Sequence, residues 1–269
     1  VYSTYKLDCK LTLYQKSEKI NKNTINLMIY IISFIVSLSD RDRTFAVNIV
    51  LLPDKKLFNK KFTPSEINSG LCSSNLTEAE IFVWRKEECI KVLIHELIHG
   101  LQLSDIKDTS AILNHYNAKY NINCSRITLD ETYTEIWAKI FNCYLVVRLT
   151  DDLSTYEHFA RLLLVEKTFS MIQSWKIRKY LQDDYKKKKV KKDLNQHTNV
   201  VAYYLAISEV FDKLDSFLEF RFRNKNIFYL KNNHTFNNFM ISSKFVANKI
   251  VTPPLFNKSF RMSAIELKV

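Results

Sequence analysis

The sequence predicts an α+β fold rich in helix, in which a small N-terminal lobe of mixed strands and helices precedes a helical C-terminal lobe. The chain has 269 residues, of which 46% are hydrophobic, so it can bury a sizeable core. It contains only 2 Gly and 4 Pro, which favours long helices over a sandwich or barrel with many tight turns. Strand patterns occur in the first third of the chain, whereas helical patterns prevail after Ile140. We expect one domain, 1–269, with the N-terminal lobe at 1–103 and the C-terminal lobe at 104–269.

The N-terminal lobe contains several segments with a clear pattern. Residues 4–15 alternate loosely between apolar and polar side chains, which indicates a strand. Thr24 can cap a helix that continues to about Leu38, and the apolar run 45–52 indicates a buried strand. Residues 62–76 show no periodicity and are predicted to be irregular.

The next segment has two interpretations. The Thr-Glu-Ala-Glu sequence at 77–80 matches a capping box that would start one long helix. We prefer a strand at about 80–84, because Phe, Val and Trp favour strands. A helix would then run from Lys86 to about Leu103.

The sequence His-Glu-Leu-Ile-His at 95–99 carries the strongest chemical signal in the chain. Residues four apart lie on one helix face, so His95 and His99 can bind one metal ion through their imidazole nitrogens. Glu96 is rotated by about 100° from His95 and can reach a metal-bound water without being a ligand. Residues 92–101 contain no other charge and no proline, and a buried helix that carries these three side chains by chance is the less favoured alternative. The spacing predicts a site for one Zn²⁺ ion.

The order of elements around this motif resembles that of zincin-type zinc peptidases: helix, strand, loop, short strand, then the metal-binding helix. The resemblance covers roughly residues 80–140 and reaches superfamily level. It implies a zincin-like fold, in which the motif helix forms the floor of the cleft and an edge strand lines it. By position, Ile81–Trp84 would be this edge strand and would flank the cleft together with the Gly70 region. The free main-chain groups of an edge strand can pair with an extended peptide.

A catalytic zinc site needs a third protein ligand and an open position for water. One candidate follows the pattern HExxHxxGxx(H/D), which would make Asp105 the third ligand. Gln102 stands where this pattern has its glycine, and no Met-turn can be assigned. We therefore rank Asp105 last among the candidates.

The other two candidates, Glu131 and Glu135, are four residues apart in the helical segment 129–138. This segment resembles the Glu-x-aromatic-x-Glu-x-aromatic-Ala helix of the gluzincins, the zincins whose third ligand is a glutamate. The resemblance implies that Glu131 binds zinc and that Glu135 hydrogen-bonds a zinc-binding histidine and fixes its tautomer. The fallback assigns the ligand role to Glu135. In the non-functional alternative, both glutamates lie on a solvated helix face.

These residues predict a zinc metallopeptidase that hydrolyses a protein or peptide substrate. Glu96 would be the general base toward a zinc-activated water that attacks the peptide carbonyl. Peptidases of this type add a Tyr or His that donates a hydrogen bond to the oxyanion, and the candidates are His197, Tyr203 and Tyr204. For each tyrosine, the alternative role is packing in the core.

Two other functions stay open at this point. The first is a catalytically inactive zincin-like protein that uses its basic surface to bind acidic partners or nucleic acid. The presence of Glu96 argues against it, because a purely structural zinc needs no base. The second is a closed structural zinc site, in which Asp105 or Cys124 takes the place of the water.

The net charge of +12 can indicate an acidic partner, but we favour a simple abundance of lysine. The lysine run 186–192 is typical of an exposed loop or a frayed helix end, and it lacks the interleaved aromatic residues of nucleic-acid-binding segments. We therefore do not expect a nucleic-acid partner. The longest apolar run, 25–38, is too short and too interrupted to cross a bilayer, so no membrane span is expected.

The five cysteines are scattered and form no Cys-x-x-Cys pair, which favours free thiols in an intracellular, cytoplasmic protein. The abundance of Asn, Lys and Ile suits a large DNA virus or an AT-rich microbe. Secretion stays open, because a leader can precede Val1.

Overall fold

A four-stranded sheet organises the N-terminal part of the chain. Its strands are β1 (Asp8–Tyr14), β2 (Thr44–Leu52), β3 (Gly70–Ser74) and β4 (Glu78–Arg85), in the spatial order β1-β2-β4-β3. β1 and β4 pair with β2 in parallel, and β3 pairs with β4 in antiparallel fashion. The computed structural model describes residues 8–14, 21–39, 43–59, 62–150, 155–194, 198–222, 233–245 and 258–267.

One face of this sheet is buried. Six apolar side chains at alternate positions of β2 and β4 share one face and are buried: Phe45, Val47, Ile49, Ala79, Ile81 and Val83. The intervening residues Glu78, Glu80 and Phe82 of β4 are exposed and Trp84 is half-buried, as expected for a sheet with one covered face.

Helix α3 (Cys89–Gly100) packs against β3 and β4, and α1 (Lys22–Ser37) packs against α3. Gly100 allows the end of α3 to approach the sheet closely, since a Cβ atom there would lie 3.1 Å from the ring of Phe45. Arg43 Nη1 donates a hydrogen bond of 2.6 Å to the Gly100 carbonyl and so satisfies one of the free carbonyls at the helix end. The sheet thereby fixes the position of α3. A one-turn helix, α2 (Pro64–Ile67), precedes β3.

The described residues after Gly100 are mainly helical. The helices are α4 (Ser110–Tyr120), α5 (Leu129–Leu149), α6 (Tyr156–Lys188), a π-helical segment (Val201–Ala206), α7 (Ile207–Asp212), α8 (Leu214–Phe222) and α9 (Asn233–Ser242). Two short strands, β5 (Ile122–Asn123) and β6 (Lys192–Asp193), pair in parallel. The predicted helix-rich α+β class is confirmed, with a small N-terminal sheet and a helical C-terminal part. The division into two lobes at residue 103 stays a prediction.

Several predicted elements are confirmed and others are wrong. The strand at 80–84 is present as β4, but it is not the edge strand: β4 lies between β2 and β3, and β3 forms the edge. Residues 62–76 are not irregular, because they contain α2 and β3. β3 forms because it pairs with β4, and a short polar sequence gives little local indication of such pairing.

The predicted helix boundaries also shift. Thr24 is not the cap of α1, because the Asn21 side chain accepts the backbone N–H of Asn23 at 2.9 Å and starts the helix earlier. The helix predicted from Lys86 to Leu103 is present as α3, but it is shorter and spans Cys89–Gly100. The exposed lysines 186–188 form the last turn of α6, in agreement with the prediction of a helix end.

Among the helices that the structure describes, none has both the length and the apolar character required to cross a membrane.

Candidate functional site

His95 and His99 project from one face of α3 toward the N-terminal end of α5. Their Nε2 atoms lie 3.2 Å apart. One carboxylate oxygen of Glu131, Oε2, lies 3.2 Å from His95 Nε2 and 3.1 Å from His99 Nε2. The packing of two helices thus directs three potential donor atoms to one point.

These three side chains form the one His, Cys, Asp or Glu group with metal-binding spacing in the described part of the chain. Two imidazole nitrogens and one carboxylate oxygen are the protein donors of many catalytic zinc sites. Neither candidate for the fourth ligand of a closed zinc site belongs to this group. Asp105 is exposed, and Cys124 is buried beside Asn117, whose side-chain oxygen accepts its backbone N–H at 2.9 Å. Gln102 stands where the pattern HExxHxxGxx(H/D) has its glycine. Its backbone has a φ of 50°, a left-handed conformation that glycine adopts more readily than other residues.

The second ring nitrogen of each histidine faces a carboxylate. His95 Nδ1 lies 3.0 Å from Oε2 of Glu135, whose side chain is fully buried. His99 Nδ1 lies 3.6 Å from Oδ2 of Asp130. A carboxylate at Nδ1 favours the tautomer that carries its proton there, which leaves the lone pair of Nε2 available to a metal. Glu131 thus faces the Nε2 atoms of both rings, and Glu135 faces Nδ1 of His95. The assignment of Glu131 as the ligand and Glu135 as the outer carboxylate stays a prediction.

Glu96 lies beside this group, against β3. It is only 7% exposed, and a Cβ atom on Gly70 would lie 2.4 Å from its Oε1 atom. Any larger residue at position 70 would push the carboxylate away. Burial raises the pKa of Glu96 above its ordinary value, which brings it closer to the range in which a carboxylate both accepts and releases protons.

Tyr203 reaches the group from the π-helical segment. Its hydroxyl donates a hydrogen bond of 2.7 Å to Glu131 Oε2, and its ring centroid lies 5.9 Å from that of His95. Burial and the nearby charge of Glu131 raise the pKa of Tyr203 well above its ordinary value. Tyr203 is therefore a protonated hydrogen-bond donor at neutral pH.

The other predicted donors are placed differently. Tyr204 is not at the site: its hydroxyl donates to the Phe260 carbonyl at 2.7 Å, and its ring stacks on the Phe260 ring at 4.4 Å in the core. The prediction that Tyr204 donates a hydrogen bond at the site is therefore wrong. His197 lies outside the described residues.

A cavity of about 350 Å³ opens over these side chains. Residues 67–72 line one wall, and Asn199, Tyr203 and Met262 line others. The Gly70 region flanks the cavity as expected, whereas Ile81–Trp84 does not line it, because β3 separates β4 from the cavity.

Sequence reasoning missed Asp130, Lys91 and Met262. Asp130 directly precedes Glu131, and its Oδ1 atom accepts hydrogen bonds from the Ser104 hydroxyl and from the Ile106 backbone N–H. Lys91 lies four residues before His95, so the spacing that identified His99 could have placed it on the same face. Met262 reaches the cavity from the far end of the chain, and no local pattern indicates it.

Comparison of the chain with protein-family models, with curated proteins and with solved structures gave no match. The interpretation of the site therefore rests on the geometry of its own residues.

The metal-free site makes stability depend on pH. Burial alone would lower the pKa of His95, but hydrogen bonds to Glu131 and Glu135 outweigh it and raise the pKa from 6.5 to about 10. A histidine that binds its proton more tightly when folded stabilises the protein fully below the unfolded pKa, and this contribution is lost as the pH rises through the folded pKa. We expect the unfolding free energy of wild type to fall relative to that of His95→Gln between pH 6.5 and 10. Urea denaturation of both proteins with a chelator present measures this; a difference that is constant or grows with pH would contradict it.

Proposed function

We propose that the protein is a zinc-dependent peptidase with a gluzincin-like site, in which His95, His99 and Glu131 hold one Zn²⁺ ion. The observation that carries the proposal is the convergence of these three donors, with Glu96 beside them and a carboxylate behind each imidazole. The donor set fits zinc: two nitrogens and one carboxylate oxygen face a cavity with room for a water and a substrate.

Bound zinc would supply a Lewis acid that lowers the pKa of a water and polarises the scissile carbonyl. Glu96 accepts the proton of the attacking water and passes it to the leaving amine. Its position outside the donor trio suits both transfers. With Glu131 Oε2 bound to the metal, the Tyr203 hydroxyl that donates to it in this structure would be free to donate instead to the oxygen on which negative charge develops.

The edge strand β3 supports a peptide as the substrate. β3 pairs with β4 on one side and, among the described residues, is the last strand of the sheet on the other. Residues of this strand line the cavity, so an extended peptide can add to its free edge while its carbonyl faces the site. We propose a zincin-like architecture for this reason, with β3 in the place that the sequence alone assigned to Ile81–Trp84.

The catalytically inactive alternative receives less support. A purely structural metal site does not require a carboxylate at position 96. In this chain the Glu96 carboxylate is present at the edge of the cavity, and the missing side chain of Gly70 leaves the space that it occupies. A closed structural site is also less favoured, because Asp105 and Cys124 lie outside the donor group.

The variant Glu96→Gln separates metal binding from catalysis. Glu96→Gln is expected to keep one bound zinc, since Glu96 is not a donor, and to lose peptide cleavage by at least about 10²-fold, since the base is gone. The measurements are zinc content after dialysis and cleavage of a random quenched-fluorescence peptide library, with Glu157→Gln on the exposed start of α6 as the matched control.

Two outcomes would count against the proposal. Equal cleavage by wild type and Glu96→Gln would remove Glu96 as the base. A wild type that binds zinc and cleaves no peptide of the library would favour the inactive or the closed site.

The two adjacent tyrosines differ in their expected contribution to catalysis. Tyr203→Phe is expected to lower kcat by about 10²-fold with little change in KM, because the lost hydrogen bond acts on the transition state. Tyr204→Phe is the matched control: it removes the bond to Phe260 and costs about 1 kcal/mol of stability, with kcat unchanged. Steady-state kinetics on a cleaved library peptide distinguish the two, and equal kcat values for both variants would rule out the role of Tyr203.

A further inference from the structure

Behind His95, two further buried charged side chains, Glu135 and Lys91, lie at the wall of the cavity. Glu135 Oε2 lies 3.0 Å from His95 Nδ1, and Lys91 Nζ lies 3.0 Å and 3.1 Å from the two oxygens of Glu135. The Lys91 side chain is 2% exposed and that of Glu135 is 0% exposed. The ammonium therefore hydrogen-bonds both carboxylate oxygens, and both side chains are almost fully buried.

The pair joins the two helices that build the metal centre. Lys91 lies one turn before His95 on α3, whereas Glu135 lies one turn after Glu131 on α5. Met262 Sδ also contacts the ammonium group, at 3.8 Å from Lys91 Nζ. Lys91 thus has defined partners, and its position determines that of Glu135.

Stability alone does not explain this pair. Burying two charges costs more desolvation energy than their attraction commonly returns, and an apolar pair of the same volume is often as stable. In contrast, a carboxylate whose two oxygens both accept hydrogen bonds from one ammonium group is restricted to a single orientation. That orientation directs an Oε2 lone pair at His95 Nδ1.

We infer that Lys91 is a positioning residue of the metal centre. It acts through Glu135: by fixing the carboxylate, it holds the Nδ1 proton of His95 in place and leaves Nε2 directed at the metal position. The inference rests on the zinc site of the proposed function, but not on peptide cleavage.

A second buried lysine provides the matched control. Lys139 Nζ lies 3.5 Å from Glu166 Oε2, with side chains 1% and 0% exposed, and it donates a hydrogen bond of 2.8 Å to Ser170. Lys91→Met and Lys139→Met thus remove the same kind of buried ion pair. Lys139 Nζ also donates to the Met262 carbonyl. Of the two lysines, Lys91 is the one that hydrogen-bonds Glu135, the partner of His95.

The test is a double-mutant cycle on zinc affinity, measured by competition with a chromophoric chelator. We expect Lys91→Met and Glu135→Gln each to weaken zinc binding by about tenfold or more, the usual effect of losing an outer partner of a metal ligand, while Lys139→Met stays within about twofold of wild type. The double variant Lys91→Met/Glu135→Gln should bind zinc as Glu135→Gln does, because Lys91 acts only through Glu135. Wild-type affinity in Lys91→Met, or additive losses in the double variant, would overturn the inference.

A zinc-free readout keeps this test separate from the proposed function. The ¹⁵N–¹H spectrum of the histidine side chains should show the His95 Nδ1–H signal shifted or broadened in Lys91→Met and unchanged in Lys139→Met. If the wild type bound no zinc, the proposed function would be overturned, and an unchanged His95 signal in Lys91→Met would then overturn the inference as well. If the wild type bound zinc and cleaved no peptide, the peptidase proposal alone would be lost.

Discussion

The approach of one Glu131 oxygen to the Nε2 atoms of His95 and His99 is the contact on which the rest of the site depends. It requires α3 and α5 to pack with the histidine face of one helix against the first turn of the other. A buried polar side chain is stable only if it finds a partner: Glu135 hydrogen-bonds the far side of the His95 ring, and the Asp130 carboxylate lies 3.6 Å from the far side of the half-buried His99 ring. The helix pair is therefore specified by its polar contacts as well as by its apolar ones.

The N-terminal sheet holds this helix pair in place and shapes its surroundings. Gly100 and Arg43 fix the end of α3 on β2 and β4, and Gly70 on β3 leaves room for Glu96. The same edge strand forms a wall of the cavity. In the proposed peptidase, one structural element would thus both position the base and offer main-chain groups to the substrate.

The sequence could predict those parts of the site that follow from helical spacing. His95 with His99, and Glu131 with Glu135, are each one turn apart, and periodicity also indicates the helices that carry them. Contacts between distant segments could not be predicted, as Met262 beside Lys91 and β3 at the edge of the sheet demonstrate. Tyr203 and Tyr204 show a further limit: adjacent helical residues point about 100° apart, and only the packing of the π-helical segment determines that Tyr203 faces the site and Tyr204 the core.

The most direct test of the account is the coordination of zinc itself. X-ray absorption at the zinc K-edge of the zinc-loaded wild-type chain should show one ion with about four nitrogen and oxygen neighbours at about 2.0–2.2 Å, two of them imidazoles. A sulfur neighbour at about 2.3 Å would indicate a closed site that includes a cysteine, and it would contradict the proposed open centre. The absence of bound zinc would contradict the account altogether.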